Sequence, residues 1–167
     1  MRIEFHPLTA ADLPQLHDWL QREHVKRWWR EHDTLEQVVA HYLPSIEGSE
    51  PTDHYLIVVD ERPAGMVETY LVADHPEYDA LVQVGPGVAG VDLFIGEEEL
   101  IGRGIGTEVL RRFVEELVFG RPETHACIAG VEVANAASLR AFAKAGFEPV
   151  RDFEEEGRPH RLLRRDR

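Results

Sequence analysis

The chain carries one cysteine, Cys127, in 167 residues. A single thiol excludes an intramolecular disulfide framework and fits a reducing compartment. No apolar run is long enough to span a bilayer, and the N-terminal MRIEFHPLTAADL lacks the apolar stretch of a signal peptide, so the cytoplasm is the expected location. Basic residues are scarce: 18 Lys and Arg stand against 31 Asp and Glu, a formal net charge of −13. Nucleic acid would meet net repulsion, whereas a cationic small molecule would be drawn in. The nine histidines show no H-x-x-x-H spacing within a helix, so no metal is expected. Internal repeats and low-complexity linkers are missing too, and 1–167 reads as one domain with room for a proper core. Between monomer and homodimer the composition does not choose.

What stands out is Leu100-Ile101-Gly102-Arg103-Gly104-Ile105-Gly106-Thr107. Glycines at alternate positions do not suit a helix interior, where each costs about 1 kcal/mol relative to Ala. Straight afterwards Ile105, Val109, Phe113 and Leu117 recur every fourth residue on one helical face. A glycine loop feeding a helix start lets bare backbone N–H groups converge on an anion at the positive end of the helix dipole. Phosphate suits that position. The loop alone leaves a plain glycine turn open as the other reading.

Arg2 to Leu8 alternates apolar and polar and reads as a first strand. Thr9 caps a helix over 12–22 that buries Leu13, Leu16 and Leu20. His24 to Trp29 breaks the pattern; adjacent tryptophans point in different directions, so one is expected to line a cleft, with a cap on the core as the alternative for Trp29. A second helix runs from Leu35 to about Leu43, capped by Thr34 and ended by Pro44. After a polar, acidic loop, 54–59 and 64–72 form a hairpin. Ala73 to Val84 reads as a mobile acidic loop. Val88 to Ile95 is a strand leading toward the glycine loop. Beyond the long helix come a strand over 126–133, a short helix over Ala136 to Lys144 preceded by Asn135 and closed by Gly146, and two strands joined at a charged turn.

This order of elements resembles that of the GNAT acyltransferase superfamily, and the motifs fall in matching places. Ile101-Gly102-Arg103-Gly104-Ile105-Gly106 is similar to its pyrophosphate-binding loop, and Asn135 with Ala141-Phe142-Ala143-Lys144-Ala145-Gly146-Phe147 is similar to its last motif. The resemblance implies an α/β (α+β) GNAT fold: a central mixed, mostly antiparallel twisted sheet of about six or seven strands, flanked by about four helices. It also implies acetyl-CoA as co-substrate, held by Leu93, Phe94, Ile101, Gly102, Arg103, Gly104, Ile105, Gly106, Thr107, Asn135 and Phe142. A narrower likeness joins Leu20 to His24, Trp28-Trp29, Tyr42-Leu43-Pro44-Ser45, Gly65-x-x-Glu68-x-Tyr70 and the segment Gly85 to Asp92 to the aminoglycoside 6′-N-acetyltransferases. That likeness implies antibiotic resistance by acetylation of a 6′-amine. It makes Asp92 the residue that contacts this amine, and Trp29, Tyr42, Glu50, Glu68, Tyr70 and Glu156 candidates for the acceptor wall.

Three departures from the family pattern matter. Phe142 replaces the helix tyrosine taken to protonate the leaving thiolate, Glu68 stands where the aminoglycoside enzymes carry glutamine, and Ile101 replaces a basic or Gln residue. An ammonium must lose a proton before it attacks a thioester. An aspartate with the ordinary pKa of about 3.9 is a weak base but a good anchor, which favours Asp92 as orienter with proton transfer through water. A backbone N–H near Leu93 or Phe94 is the expected donor to the thioester oxygen. A thiolate whose parent thiol has a pKa of about 8.5 leaves without a strong acid. Two other functions remain open: acylation of a different amine (a siderophore lysine or hydroxylysine, or a protein terminus), and a CoA-binding sensor without catalysis.

Overall fold

The computed structural model describes residues 1–31 and 34–167. Its strands are β1 (Ile3–Pro7), β2 (Asp53–Val59), β3 (Arg62–Leu71), β4 (Val88–Ile95), β5 (Ala126–Glu132), β6 (Glu148–Glu155) and β7 (Arg158–Asp166). They lie in one sheet in the order β1-β2-β3-β4-β5-β7-β6. β1 with β2, β5 with β7 and β6 with β7 are antiparallel, while β4 runs parallel to β5 from Val88↔Ala126 to Gly90↔Ile128. The helices among the described residues are α1 (Leu13–Gln21), α2 (Glu23–Lys26), α3 (Leu35–Ile46), α4 (Pro76–Val82), α5 (Ile105–Phe113) and α6 (Ala136–Lys144). None is long and apolar enough to cross a membrane.

The chain divides into two compact units, Met1–Glu68 with Asp92–Arg103, and Thr69–Val91 with Gly104–Arg167. In the first, α1 buries the three expected leucines, and Trp19 joins them with no exposed surface. Leu56 and Val58 of β2, Met66 of β3, Phe94 of β4, and Val38 and Tyr42 of α3 complete that core. Thr34 and Gln37 cap α3 reciprocally, the Thr34 hydroxyl accepting from the Gln37 N–H at 3.1 Å and Gln37 Oε1 accepting from the Thr34 N–H at 3.0 Å. Pro44 does not end α3, which runs on to Ile46. A proline here removes the one hydrogen bond that its nitrogen cannot donate and crowds the carbonyl one turn back, and the helix closes two residues beyond Ile46 at Gly48, whose φ is +84°.

In the second unit, Val72, Val82, Val88, Ala126, Ile128 and Leu162 form one buried cluster, and Ile105, Val109, Leu110 and Phe113 of α5 are buried as well. The segment 73–84, expected to be a mobile acidic loop, is a 3₁₀ turn (Val72–Asp74) followed by α4. Its acidity is helix-start chemistry rather than loop chemistry: Pro76 occupies the first turn, Glu77 and Asp79 complement the dipole, and Val82 is buried. Arg151 donates to the carbonyls of Leu81 and Val82 at 3.3 and 2.6 Å and so closes the C-terminal end. The helix after the glycine loop also differs from its expected phase. α5 ends at Phe113 and a π turn spans Val114–Val118, with the Phe119 N–H bonded to the Val114 carbonyl at 2.8 Å. The extra residue in that turn rotates the face, so Val114 and Val118 are buried where the four-residue spacing had pointed to Leu117.

Candidate active site

The glycine loop enters α5 through two left-handed residues, Gly102 at φ +77° and Gly104 at φ +76°. A Cβ at Gly102, Gly104 or Gly106 would meet nothing within 4 Å. The protein leaves the space above this backbone open. Gly104 is the N-cap of α5, and the first helical bond there runs from the Glu108 N–H to the Gly104 carbonyl at 3.2 Å. The N–H groups of Ile105, Gly106 and Thr107 therefore precede the intrahelical ladder and are free to bind an anion. Ile101 and Arg103 are exposed on the approach to them. A cradle that any side chain would fill, at a helix start, fits a diphosphate.

In the first unit, the buried Tyr42 ring stands edge-on to His54, with centroids 4.9 Å apart, and its hydroxyl donates to Glu31 Oε2. Burial, and after it the negative charges of Glu31 and Glu68, hold this phenol well above 10. His54 comes from the start of β2 and Glu68 from β3, and Nδ1 of the imidazole lies 3.0 Å from Glu68 Oε2. That buried nitrogen has no hydrogen-bond partner. Trp29 packs its ring edge-on to Phe94 at 5.1 Å, and its side chain meets the Tyr42 hydroxyl. The His54 and Trp29 rings and the carboxylates of Glu31 and Glu68 thus surround one phenol. Glu50 is held separately, accepting from the Ser45 hydroxyl at 2.6 Å and the Thr52 hydroxyl at 3.1 Å. Asp92 is half-buried on β4, a neighbour of β3 in the sheet.

The remaining sequence candidates have other surroundings. Leu93 is half-buried; the Phe94 ring is in the core, 6.2 Å from Trp19, which leaves its backbone as the part able to meet a ligand. In the second unit the Tyr70 ring lies across Gly90, where a Cβ would come within 2.4 Å of it, and meets His75 and Tyr78 edge-on. Asn135 caps α6, its Oδ1 accepting from the Ser138 N–H at 3.2 Å. Phe142 is buried against Phe147, ring centroids 5.1 Å apart. Glu156 is exposed in the β6–β7 turn at φ +52°, 3.6 Å from Arg158 Nη1.

The structure therefore gathers Trp29, Tyr42 and Glu68 with two residues that sequence reasoning passed over, Glu31 and His54. For His54 a signal existed: it holds an alternate position of β2 that Leu56 and Val58 fill with apolar side chains. Glu31 gave none. Among the described residues no group of His, Cys, Asp and Glu is arranged to hold a metal ion.

The Acetyltransferase (GNAT) domain model matches residues 9–155. The aminoglycoside N(6′)-acetyltransferase type 1 of Klebsiella pneumoniae is 31% identical over 144 residues, covering 84% of this chain and 71% of that protein. The solved structure of AAC(6′)-Ib in complex with paromomycin and acetyl-CoA has a TM-score of 0.91 at 28% identity, spanning 100% of this chain and 94% of that one. The same enzyme with coenzyme A and kanamycin has a TM-score of 0.90 at 28% identity, over 99% and 95% of the two chains.

Proposed function

Since the chain belongs to the GNAT acetyltransferase family, we propose that it transfers the acetyl group of acetyl-CoA to the 6′-amine of aminoglycosides, and so confers resistance to them. The observation that carries the substrate class is the likeness, over the full length of this chain, to a structure that holds both paromomycin and acetyl-CoA. The open glycine cradle supports the donor half, and the carboxylates around Tyr42 support a cationic acceptor.

In this reading the free N–H groups of Ile105, Gly106 and Thr107 hold the diphosphate of the donor, and Arg103 adds a positive charge beside them. A backbone N–H near Leu93 or Phe94 donates to the thioester oxygen as negative charge develops there. Asp92 binds and orients the amine, whose proton leaves through water; Glu31 and Glu68 hold other ammonium groups of the acceptor. Attack forms the N–C bond and expels the thiolate. With phenylalanine at 142, the thiolate takes its proton from water, which its modest basicity permits. Each exposed charge pair is worth little alone, but a cleft lined with one sign of charge focuses the field on a polycation.

The test is thiol release from acetyl-CoA in the presence of kanamycin or tobramycin, with the position of the acetyl group read by NMR. Release with 6′-N-acetylated product is the expected result. Turnover only with other amines would transfer the enzyme to a different acceptor, and tight CoA binding without turnover on any amine would make it a sensor.

A further inference from the structure

Two polar side chains from the corner between α1 and α2 reach the end of β4. Arg22 Nη1 donates to the Gly96 carbonyl at 2.9 Å and to Glu97 Oε2 at 3.0 Å, while Nη2 donates to Asp18 Oδ2 at 2.7 Å. His24 Nε2 lies 3.0 Å from the Ile95 carbonyl, and since a carbonyl only accepts, that nitrogen carries the proton. From the other side the Gly96 N–H donates to the Ala64 carbonyl at 2.7 Å. The backbone here is tightly seated. A Cβ at Gly65 would come within 2.1 Å of the Phe94 carbonyl oxygen, and a Cβ at Gly96 within 2.3 Å of the Trp19 indole. Trp19 Nε1 donates to Glu97 Oε1 at 3.2 Å and Arg62 to Glu97 Oε2 at 3.2 Å, so the bridging carboxylate is itself fixed. All of these residues belong to the first unit. The register of β4 with β5 runs from Val88 to Gly90; the far end of β4 is held by the α1–α2 corner and by β3.

The same strand carries Leu93 and Phe94, whose backbone supplies the N–H donor to the thioester oxygen in the acetyltransferase reading. We infer that Arg22 and His24 are positioning residues for acetyl transfer: they hold the Ile95 and Gly96 peptide groups so that this N–H stays aimed at the oxygen. A donor to developing negative charge is effective when it is fixed before the reaction begins. Misplacement by about 1 Å can cost about a hundredfold in rate. The residue types suit the task. One planar guanidinium spans a carbonyl and two carboxylates at once, which a lysine ammonium on its flexible stem does not reproduce. The imidazole adds a rigid donor on the neighbouring carbonyl. Both side chains act through backbone, and their effect falls on kcat rather than on acceptor binding. This role rests on the acetyltransferase reading and deepens it.

The experiment binds acetyl-CoA, isotopically labelled at its thioester carbonyl, without an acceptor and reads the carbonyl resonance by NMR. A hydrogen bond to the oxygen moves that resonance downfield on binding. His24→Leu and Arg22→Ala should lose most of the wild-type shift. With kanamycin as acceptor, kcat should fall about tenfold or more, while KM for kanamycin and the affinity for CoA stay within about twofold. His24→Gln, which keeps an N–H donor at similar reach, should restore both the resonance and kcat; Arg22→Lys should not. Leu13→Ala removes buried surface from α1 without touching these bonds, so it should lower Tm and keep the wild-type resonance. Melting curves show which variants are folded, and if Arg22→Ala is not, the two His24 variants carry the comparison. A wild-type resonance and kcat in folded His24→Leu, whatever its Tm, overturn the inference, and so does a loss confined to acceptor KM. A wild type that turns over no amine removes the acetyltransferase assignment, whereas the carbonyl resonance, which needs no acceptor, still tests the clamp.

Discussion

The Tyr42 hydroxyl donates a hydrogen bond to Glu31 from a ring that solvent does not reach. A hydrogen bond to a charged group contributes about 1.5–3 kcal/mol, and the 26% exposure of the Glu31 side chain places this one at the lower end. Tyr42→Phe should therefore lower Tm by a few degrees and raise the acceptor KM, with CoA affinity unchanged. The phenol also sets an alkaline limb. Its folded pKa lies above the ordinary value of 10.0, so its contribution is complete below pH 10 and is lost as pH rises through the folded value. Thermal melts of the two proteins from pH 8 to 11 check both points: Tyr42→Phe should lose stability less steeply at the alkaline end.

The glycine cradle separates folding from binding. Gly106 lies in the first turn of α5 with an ordinary φ, and a Cβ there would meet open space. Gly106→Ala should leave Tm unchanged or raise it slightly, by the roughly 0.4–1 kcal/mol that a restricted unfolded chain provides. The same methyl group would stand in the path of a diphosphate, so CoA affinity by calorimetry should fall about tenfold or more. Gly104→Val should lose binding as well, and it should also lose stability because Gly104 is left-handed at φ +76°. Normal CoA affinity in Gly106→Ala would remove the loop from the donor site.

Local pattern made several elements legible before any coordinates. β4 spans Val88–Ile95 and α6 spans Ala136–Lys144, both where alternation and capping placed them, and the α1 leucines are buried as their spacing requires. The misses depended on contacts between distant segments. Trp19 reads as one more residue of an amphipathic helix until Gly96 is seen against it, where a Cβ would stand 2.3 Å from the indole Cγ. α4 hid inside its own acidity, because charge that favours a helix start also favours a loop. The candidate site divides in the same way. Trp29, Tyr42 and Glu68 were named from motifs, while Glu31 and His54 became visible through their partners, which lie 11 and 14 residues away in the chain.

Asp92 tests the acceptor half. If its role is to bind and orient the amine, Asp92→Asn should reduce kcat/KM by about tenfold or more, within the range for a positioned proton-transfer or orienting group, and leave CoA affinity nearly unaltered. Steady-state kinetics paired with calorimetry distinguish this from a structural defect, which would weaken both ligands. An unchanged rate would take Asp92 out of the mechanism.

Net charge offers an independent check. With a formal charge of −13, encounter with a polycation should be assisted by long-range attraction, which salt screens over roughly 8–10 Å near physiological ionic strength. Raising NaCl should increase the acceptor KM, and leave the KM of a singly charged amine comparatively flat. Equal responses for the two amines would mean that the acidic surface serves solubility alone.

Acid should reveal Glu97. Its side chain is 12% exposed, and burial alone would push its carboxyl up. Hydrogen bonds from Arg22 Nη1 at 3.0 Å and Trp19 Nε1 at 3.2 Å, with the charges of Arg22 and Arg62, outweigh burial and hold it below 4.5. A carboxyl depressed in the folded state favours folding above its unfolded pKa, and that contribution is lost as pH falls through the folded one. Melting temperature should accordingly drop as the solution is acidified below about 4.5. Glu97→Gln should melt lower at pH 7, because Arg22 and Arg62 lose their shared anion, yet show a shallower decline between pH 4.5 and 3. Parallel acid limbs in the two proteins would show that other carboxylates control acid unfolding and that this cluster contributes little to it.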